Sequence, residues 1–182
     1  AWANNERIVL QKEYLKGWQD HPIYYGELMA VNADGSKATY LFGYNSGEQQ
    51  TGSHIQKNTP IRATAHILDP LPENRRYMLV NAIPWDGSRK VDYEKKQDIY
   101  LVDLYKGKRK KITRSPIGHS HFLTDHDGEV RFVSGTKDYI NYELFYRQDN
   151  KWQNTANLKH NLDNLTPIAF GDDKDSVYVT GS

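Results

Sequence analysis

Two kinds of hairpin alternate along this chain, and their alternation constrains the fold more than any other feature. One kind is a tyrosine-bearing strand, a turn and a basic or polar strand: ELMAVNADGSKATYLF, DIYLVDLYKGKRKKIT and YELFYRQDNKWQNT, with turns at Gly35, Gly107 and Asn150. The other kind precedes it in each cycle: HILDPLPENRRYMLV, FLTDHDGEVRFV and IAFGDDKDSVYV, with turns near Asn74, Gly128 and Asp173. The first set of turns is spaced by 72 and 43 residues, the second by 54 and 45. Apolar residues at i, i+3, i+4 and i+7 do not persist over three turns anywhere, so no amphipathic helix is seeded. About thirteen short runs of four to eight residues, bounded by Asp-Gly, Lys-Gly and Asp-Asn turns, read instead as strands. With 13 Tyr and 12% aromatic residues, the composition suits pleated, half-buried surfaces.

A four-stranded unit returning every 40–50 residues or so is how β-propeller blades look in sequence. The pattern therefore predicts an all-β fold, an incomplete β-propeller of three to four antiparallel four-stranded blades. The blades fall at Arg7–Phe42, Arg62–Thr113, His119–Thr155 and, incomplete, Thr166–Thr180. Gly43–Pro60, rich in Gly, Ser, Asn and Gln, reads as a long loop that accounts for the 72-residue interval. Propellers close with four to eight blades, which protects their sheet edges, so these 182 residues read as part of one propeller domain of a larger protein. A piece of that kind is expected to self-associate through exposed blade edges.

Charge and composition narrow the function. Lys+Arg 24 against Asp+Glu 23 gives a net charge of +1, which argues against a chain built to hold nucleic acid. No run is apolar and long enough to span a bilayer. The absence of cysteine removes disulfides, thiol nucleophiles and thiolate metal sites.

Several residues invite a chemical reading. His119, His121 and His126 lie beside Asp125 and Asp127. Residues two apart on a strand share a face, so His119 and His121 could meet one zinc, with His126 or Asp125 third. A hairpin turn at Asp125–Gly128, with the histidines at the surface or between blades, is the favoured account, and no metal or cofactor is expected. Asp125-His126-Asp127-Gly128 opens like a calcium loop, but Val130 and Thr136 stand where that loop needs Gly and Glu. Asp172–Asp175 likewise reads as a turn. Lys106–Arg114 carries six positive charges and reads as an edge strand whose lysines discourage pairing. Tyr24, Tyr25, Tyr77, Tyr93, Tyr100, Tyr139, Tyr142 and Tyr146 could stack on a sugar or peptide, but strand positions favour packing. Glu27, Glu129 and Glu143 do not stand out as a glycosidase set. The loops Tyr44–Pro60 and Trp85–Lys96 are the better places for a binding surface. Deleting Ser46–Lys57 is expected to alter substrate selection in the parent protein with the fold intact; an unchanged substrate profile would count against it.

Trp2-Ala3-Asn4-Asn5-Glu6-Arg7-Ile8-Val9 resembles the W-x-N-D-x-R-I-V blade opening of bacterial serine peptidases of the prolyl oligopeptidase family, the dipeptidyl aminopeptidase and acylaminoacyl-peptidase-like group. Gly26–Ser36, Phe42-Gly43-Tyr44, Gln50–Ser53, Ile83-Pro84-Trp85 and Gly128–Phe132 are similar to further parts of that propeller. The resemblance implies a non-catalytic domain that gates peptide substrates for a separate α/β-hydrolase domain after Ser182. It also implies a periplasmic or secreted setting, although the residues themselves are equally compatible with the cytoplasm. The chain itself carries no catalytic triad: no Ser has Gly at both −2 and +2, and Gly118-His119-Ser120-His121-Phe122 fails at the second. A stand-alone binding propeller of the TolB or YncE-like sort, serving protein–protein contact, is the alternative.

Overall fold

The computed structural model describes residues 1–44, 59–157, 165–173 and 176–181. Among them there is no α-helix, only one short 3-10 turn at Thr155–Asn157. Thirteen strands build four antiparallel sheets, the all-β organisation that the turn spacing predicts. The first sheet is β1 (Arg7–Tyr14), β2 (Ile23–Asn32) and β3 (Thr39–Phe42). The second is β4 (Ala63–Asp69), β5 (Tyr77–Pro84), β6 (Asp98–Asp103) and β7 (Arg109–Arg114). The third is β8 (His121–Thr124), β9 (Val130–Thr136), β10 (Tyr142–Gln148) and β11 (Lys151–Asn154). The fourth is β12 (Leu165–Phe170) and β13 (Val177–Gly181). In every sheet the spatial order is the chain order, so the first three are meanders and the fourth is a hairpin. The chain divides into two compact units, 1–92 with 98–112, and 93–97 with 113–182.

In the first unit, Val9, Leu28, Ala30, Phe42, Ala63, Ala65, Met78, Val80 and Ala82 belong to one buried cluster. Met78, Val80 and Ala82 alternate along β5 and so share a face, while Leu79 and Ile83 on its other face are buried too. Ala30, Ala63, Ala65 and Ala82 in this cluster leave room for a close approach of the sheets. One close approach is at Gly26. The ladder of β1 and β2 runs Lys12 opposite Glu27 and then Glu13 opposite Tyr24, so Tyr25 and Gly26 form a bulge. Gly26 has φ +85°, and a Cβ there would lie 2.3 Å from Thr64 Cα and 2.4 Å from Ala65 N. Beyond the bulge the strands run on to Tyr14 and Ile23, further than apolar alternation indicates. There Tyr14 and Tyr25 meet edge to face, and Lys12 lies 4.8 Å from the Tyr14 ring centroid.

The recurring turns share their chemistry. Asn4 Oδ1 accepts the N–H groups of Glu6 and Arg7 at 2.9 and 2.8 Å. Asn74 Oδ1 accepts those of Arg76 and Tyr77 at 3.1 and 3.2 Å. Asp125 Oδ1 accepts those of Asp127 and Glu129 at 3.0 and 2.9 Å. These are Asx turns entering a strand. An arginine near each turn then braces its own sheet. Arg7, fully buried, donates to Asn32 Oδ1 at 2.7 Å, Lys37 O at 3.1 Å and Thr39 Oγ1 at 3.2 Å, and lies over the Tyr105 ring. Arg76 donates twice to Asp103 Oδ2, at 3.0 and 2.8 Å. Arg131 pairs with Asp125 at 3.1 Å and donates to the Tyr146 hydroxyl.

Asp103 gives this bracing an acid limit. Burial raises its pKa, but the N–H groups of Lys106 and Tyr105 and the Arg76 guanidinium outweigh that and hold it below the ordinary value. Its stabilisation is therefore complete above the unfolded pKa of about 3.9 and is lost as the pH falls through the lower folded value. Asp103→Asn is expected to flatten the acid side of the stability profile, read as urea midpoints from roughly pH 2 to 6; an unchanged slope would contradict this.

Two cations of the basic run Lys106–Arg114 have partners in the first unit. Arg109 stacks over Phe42 at 5.2 Å and bonds Thr59 O, and Lys111 pairs with Asp98 at 2.6 Å.

Candidate functional site: an open cleft beside a tyrosine–histidine cluster

In the second unit, the ladder sets one face of the third sheet toward the β12–β13 hairpin. His121 stands opposite Ser134, Leu123 opposite Phe132, and Leu144 opposite Ser134. Their side chains, with Tyr142, form the floor of a cleft of about 940 Å³. Leu165–Ile168, Thr180 and Gly181 form its other wall. The two sheets meet at one end. Phe170 is buried with its ring 6.0 Å from Phe132, and the His126 Nε2 proton is donated to Gly171 O at 2.8 Å. At the far end they splay, leaving Ile140 81%, Tyr142 67% and Ile168 56% exposed. Phe170→Ala is expected to loosen this junction by about 3 kcal/mol, measured by urea unfolding; a cost below roughly 1 kcal/mol would mean that the ring does not hold the sheets.

Beside the cleft lies an aromatic cluster. His119 stacks on Tyr93 at 6.3 Å between centroids and packs on Tyr139 at 4.4 Å. The backbone beneath it is tight: a Cβ on Gly118 would meet Glu94 O at 2.3 Å, and one on Gly135 would meet Gly118 O at 2.4 Å. His119 and Tyr139 both have left-handed backbones, at φ 46° and 64°. For non-glycine residues such conformations persist where the surroundings over-determine them. The turn carrying Tyr139 and Ile140 is tied by Asp138, which accepts the Ile140 and Asn141 N–H groups at 3.0 and 2.8 Å and the Asn141 amide at 2.6 Å. The Asn141 backbone and amide groups hold the Asp138 carboxyl well below the usual carboxylate range.

The positions singled out in the sequence fare unevenly. The left-handed His119 lies before β8, which starts at His121, so the two histidines do not share a strand face; His126 is bound to Gly171. Among the described residues no group of three His, Asp or Glu is placed to hold a metal ion. Asp125 is occupied by its turn and Arg131. Ser120 is buried and donates to Ile117 O at 2.6 Å, so its hydroxyl is not presented as a nucleophile. Glu27 is fully buried and accepts from the Tyr14 hydroxyl, Glu143 holds Lys137 at 2.8 Å and Asn154 at 2.9 Å, and Glu129 is exposed. Of the tyrosines, Tyr24 bonds Ala65 O, Tyr100 packs on Phe42, Tyr146 on Phe132 and Tyr25 on Tyr14, and Tyr77 lies beside Arg76. Tyr93, Tyr139 and Tyr142 remain well exposed.

The loop Trp85–Lys96 supplies Tyr93 and Glu94 to this cluster. At its other end Trp85 is tied down by an indole N–H bond to Thr64 Oγ1 at 2.8 Å. Most of the loop Tyr44–Pro60 lies outside the described residues, as do Lys174 and Asp175. The cleft itself was not foreseen; its signal was the pair of apolar residues, Ile140 and Tyr142, following the Asp138 turn.

No protein-family model, curated protein or solved structure matches the chain. Fold and cleft together define an all-β protein of three meander sheets and a two-stranded hairpin, with an open cleft of mixed polar and apolar lining between the third sheet and the hairpin.

Proposed function

We propose that the chain is part of a non-catalytic β-propeller that selects peptide substrates for a separate α/β-hydrolase domain of a serine peptidase of the prolyl oligopeptidase type. The observation that carries the propeller reading is the repetition inside the sheets. Consecutive strands form each meander, and the same Asx turn with a bracing arginine recurs at Asn4, Asn74 and Asp125. Propellers are built by such repetition of four-stranded meanders. Trp2, bridged to Ile8, takes the place beside β1 that β4 has beside β5. The peptidase reading rests on the resemblance of Trp2–Val9 and Gly26–Ser36, and Ser120, tied to Ile117 O, is in keeping with chemistry carried elsewhere.

The test is to read the gene past Ser182. A G-x-S-x-G after a strand, followed by Asp and then His, is the expected result. A stop codon, or only further blades, would overturn the peptidase reading and leave a binding propeller.

A further inference from the structure

The structure assigns Asp86 as a site of covalent self-modification, the conversion of aspartate to isoaspartate through its bond to Gly87. Aspartate followed by glycine is the pair most prone to this reaction, because glycine puts no Cβ beside the attacking nitrogen. The chain has three such pairs, Asp34-Gly35, Asp86-Gly87 and Asp127-Gly128. The first two share their next residue as well, Ser36 and Ser88, so the local sequence does not separate them. Their carboxylates are also held alike: Asp34 Oδ1 accepts the Ser36 N–H at 2.9 Å, and Asp86 Oδ1 accepts that of Ser88 at 2.7 Å. What separates them is the glycine nitrogen. The Gly35 N–H is donated to Asn32 O at 2.8 Å and the Gly128 N–H to Asp125 O at 2.9 Å, each in a left-handed conformation, at φ 82° and 76°. Among the described residues the Gly87 N–H has no acceptor, and the Gly87 backbone is not left-handed.

In the reaction the Gly87 nitrogen forms a bond to Asp86 Cγ. The amide proton, one carboxyl oxygen and one solvent proton leave as water, and a five-membered succinimide closes. Water then adds back. Addition at Cγ restores aspartate; addition at the former main-chain carbonyl breaks its bond to nitrogen and leaves a β-linked isoaspartate of unchanged mass. A nitrogen whose N–H is already donated to a carbonyl must first surrender that bond, and Gly87 holds none to surrender. The turn does not survive the change. Asp86 Oδ1 also accepts the Lys90 N–H at 2.9 Å, and the Asp86 N–H is donated to Lys90 O at 2.8 Å, inside the Trp85–Val91 bridge. Isoaspartate carries the chain through Cγ and adds one carbon to the backbone, so this register at the start of the loop Trp85–Lys96 is lost. A free α-carboxylate then stands where the Asp86 carbonyl takes the Arg89 N–H at 3.3 Å.

The test is peptide mapping of the full-length protein after warm incubation at neutral pH, once folded and once in urea. Isoaspartate is counted at each of the three pairs by methyl transfer from S-adenosylmethionine with an isoaspartyl methyltransferase as the probe. In the folded protein it is expected to accumulate at Asp86 about fivefold faster, or more, than at Asp34 or Asp127, the factor that one net hydrogen bond supplies. In urea the rates at Asp34 and Asp86 are expected to converge. Gly87→Ala adds a Cβ that meets nothing within 4 Å, so it is expected to leave the melting temperature unchanged and to slow formation at Asp86 severalfold. Equal rates at Asp34 and Asp86 in the folded protein would overturn the assignment. So would a preference for Asp86 that persists undiminished in urea, because neighbouring residues rather than the unbonded amide would then set it. Formation at Asp86 that Gly87→Ala does not slow would overturn it too, since the nitrogen of residue 87 would not be the attacking atom.

Discussion

Gly26→Ala is expected to destabilise the first unit by about 4 kcal/mol or more, enough to abolish its cooperative folding. Two costs coincide there. The left-handed backbone at φ +85° disfavours any Cβ, and the Cβ itself would overlap the backbone of Thr64 and Ala65 at 2.3 and 2.4 Å. Backbone atoms of a packed strand cannot swing aside as a side-chain tip can, so β2 and β4 would have to separate. Gly35 isolates the first cost. It has nearly the same angle, φ +82°, with nothing within 4 Å of its added Cβ. Gly35→Ala is therefore expected to cost only about 1–2 kcal/mol. Urea midpoints of the two variants decide the matter; equal losses would mean that the β2–β4 approach is not tight.

Arg7→Ala is expected to cost about 3 kcal/mol. The guanidinium is fully buried and serves Asn32, Lys37 and Thr39 at once, which ties the start of β1 to the β2–β3 hairpin. Burial lowers its pKa, opposed by Tyr105 and Asp103, and an arginine remains charged there. Truncation leaves a cavity and removes the guanidinium from the half-buried Asn32 amide oxygen, while the Lys37 carbonyl keeps the Thr39 hydroxyl as a donor. Arg7→Lys is expected to recover less than half, because an ammonium cannot reproduce the planar fork. Arg76 supplies the contrast. Its side chain is 46% exposed in its pair with Asp103, so solvent screening makes the loss on Arg76→Ala clearly the smaller of the two. Similar losses for Arg7→Ala and Arg76→Ala would contradict the bracing role assigned to the buried arginine.

The all-β class and the antiparallel strands were legible because their signal is local. Turn pairs such as Asp34-Gly35 and Asp127-Gly128, and alternation such as that of Met78, Val80 and Ala82, specify strands within a few residues. What local pattern could not supply were the places where packing overrides it. β1 and β2 extend through a bulge because Tyr14, Tyr25 and Lys12 hold each other, which no alternation records. His119 leaves the strand because Gly118 and Glu94 cross beneath it, a contact 24 residues apart in sequence. Glu27 looks like any strand carboxylate until the bulge at Gly26 buries it against Tyr14. The cleft depends on the splay between two sheets, a tertiary quantity, although its wall residues Ile140, Tyr142 and Ile168 could be read as strand or turn positions.

A crystal structure of the natural full-length protein tests the central claim most directly. The account predicts these four sheets arranged radially about a common axis, first strands innermost, with an α/β-hydrolase domain whose serine faces the propeller. Two sheets stacked face to face as a sandwich, or a propeller with no hydrolase beside it, would contradict it.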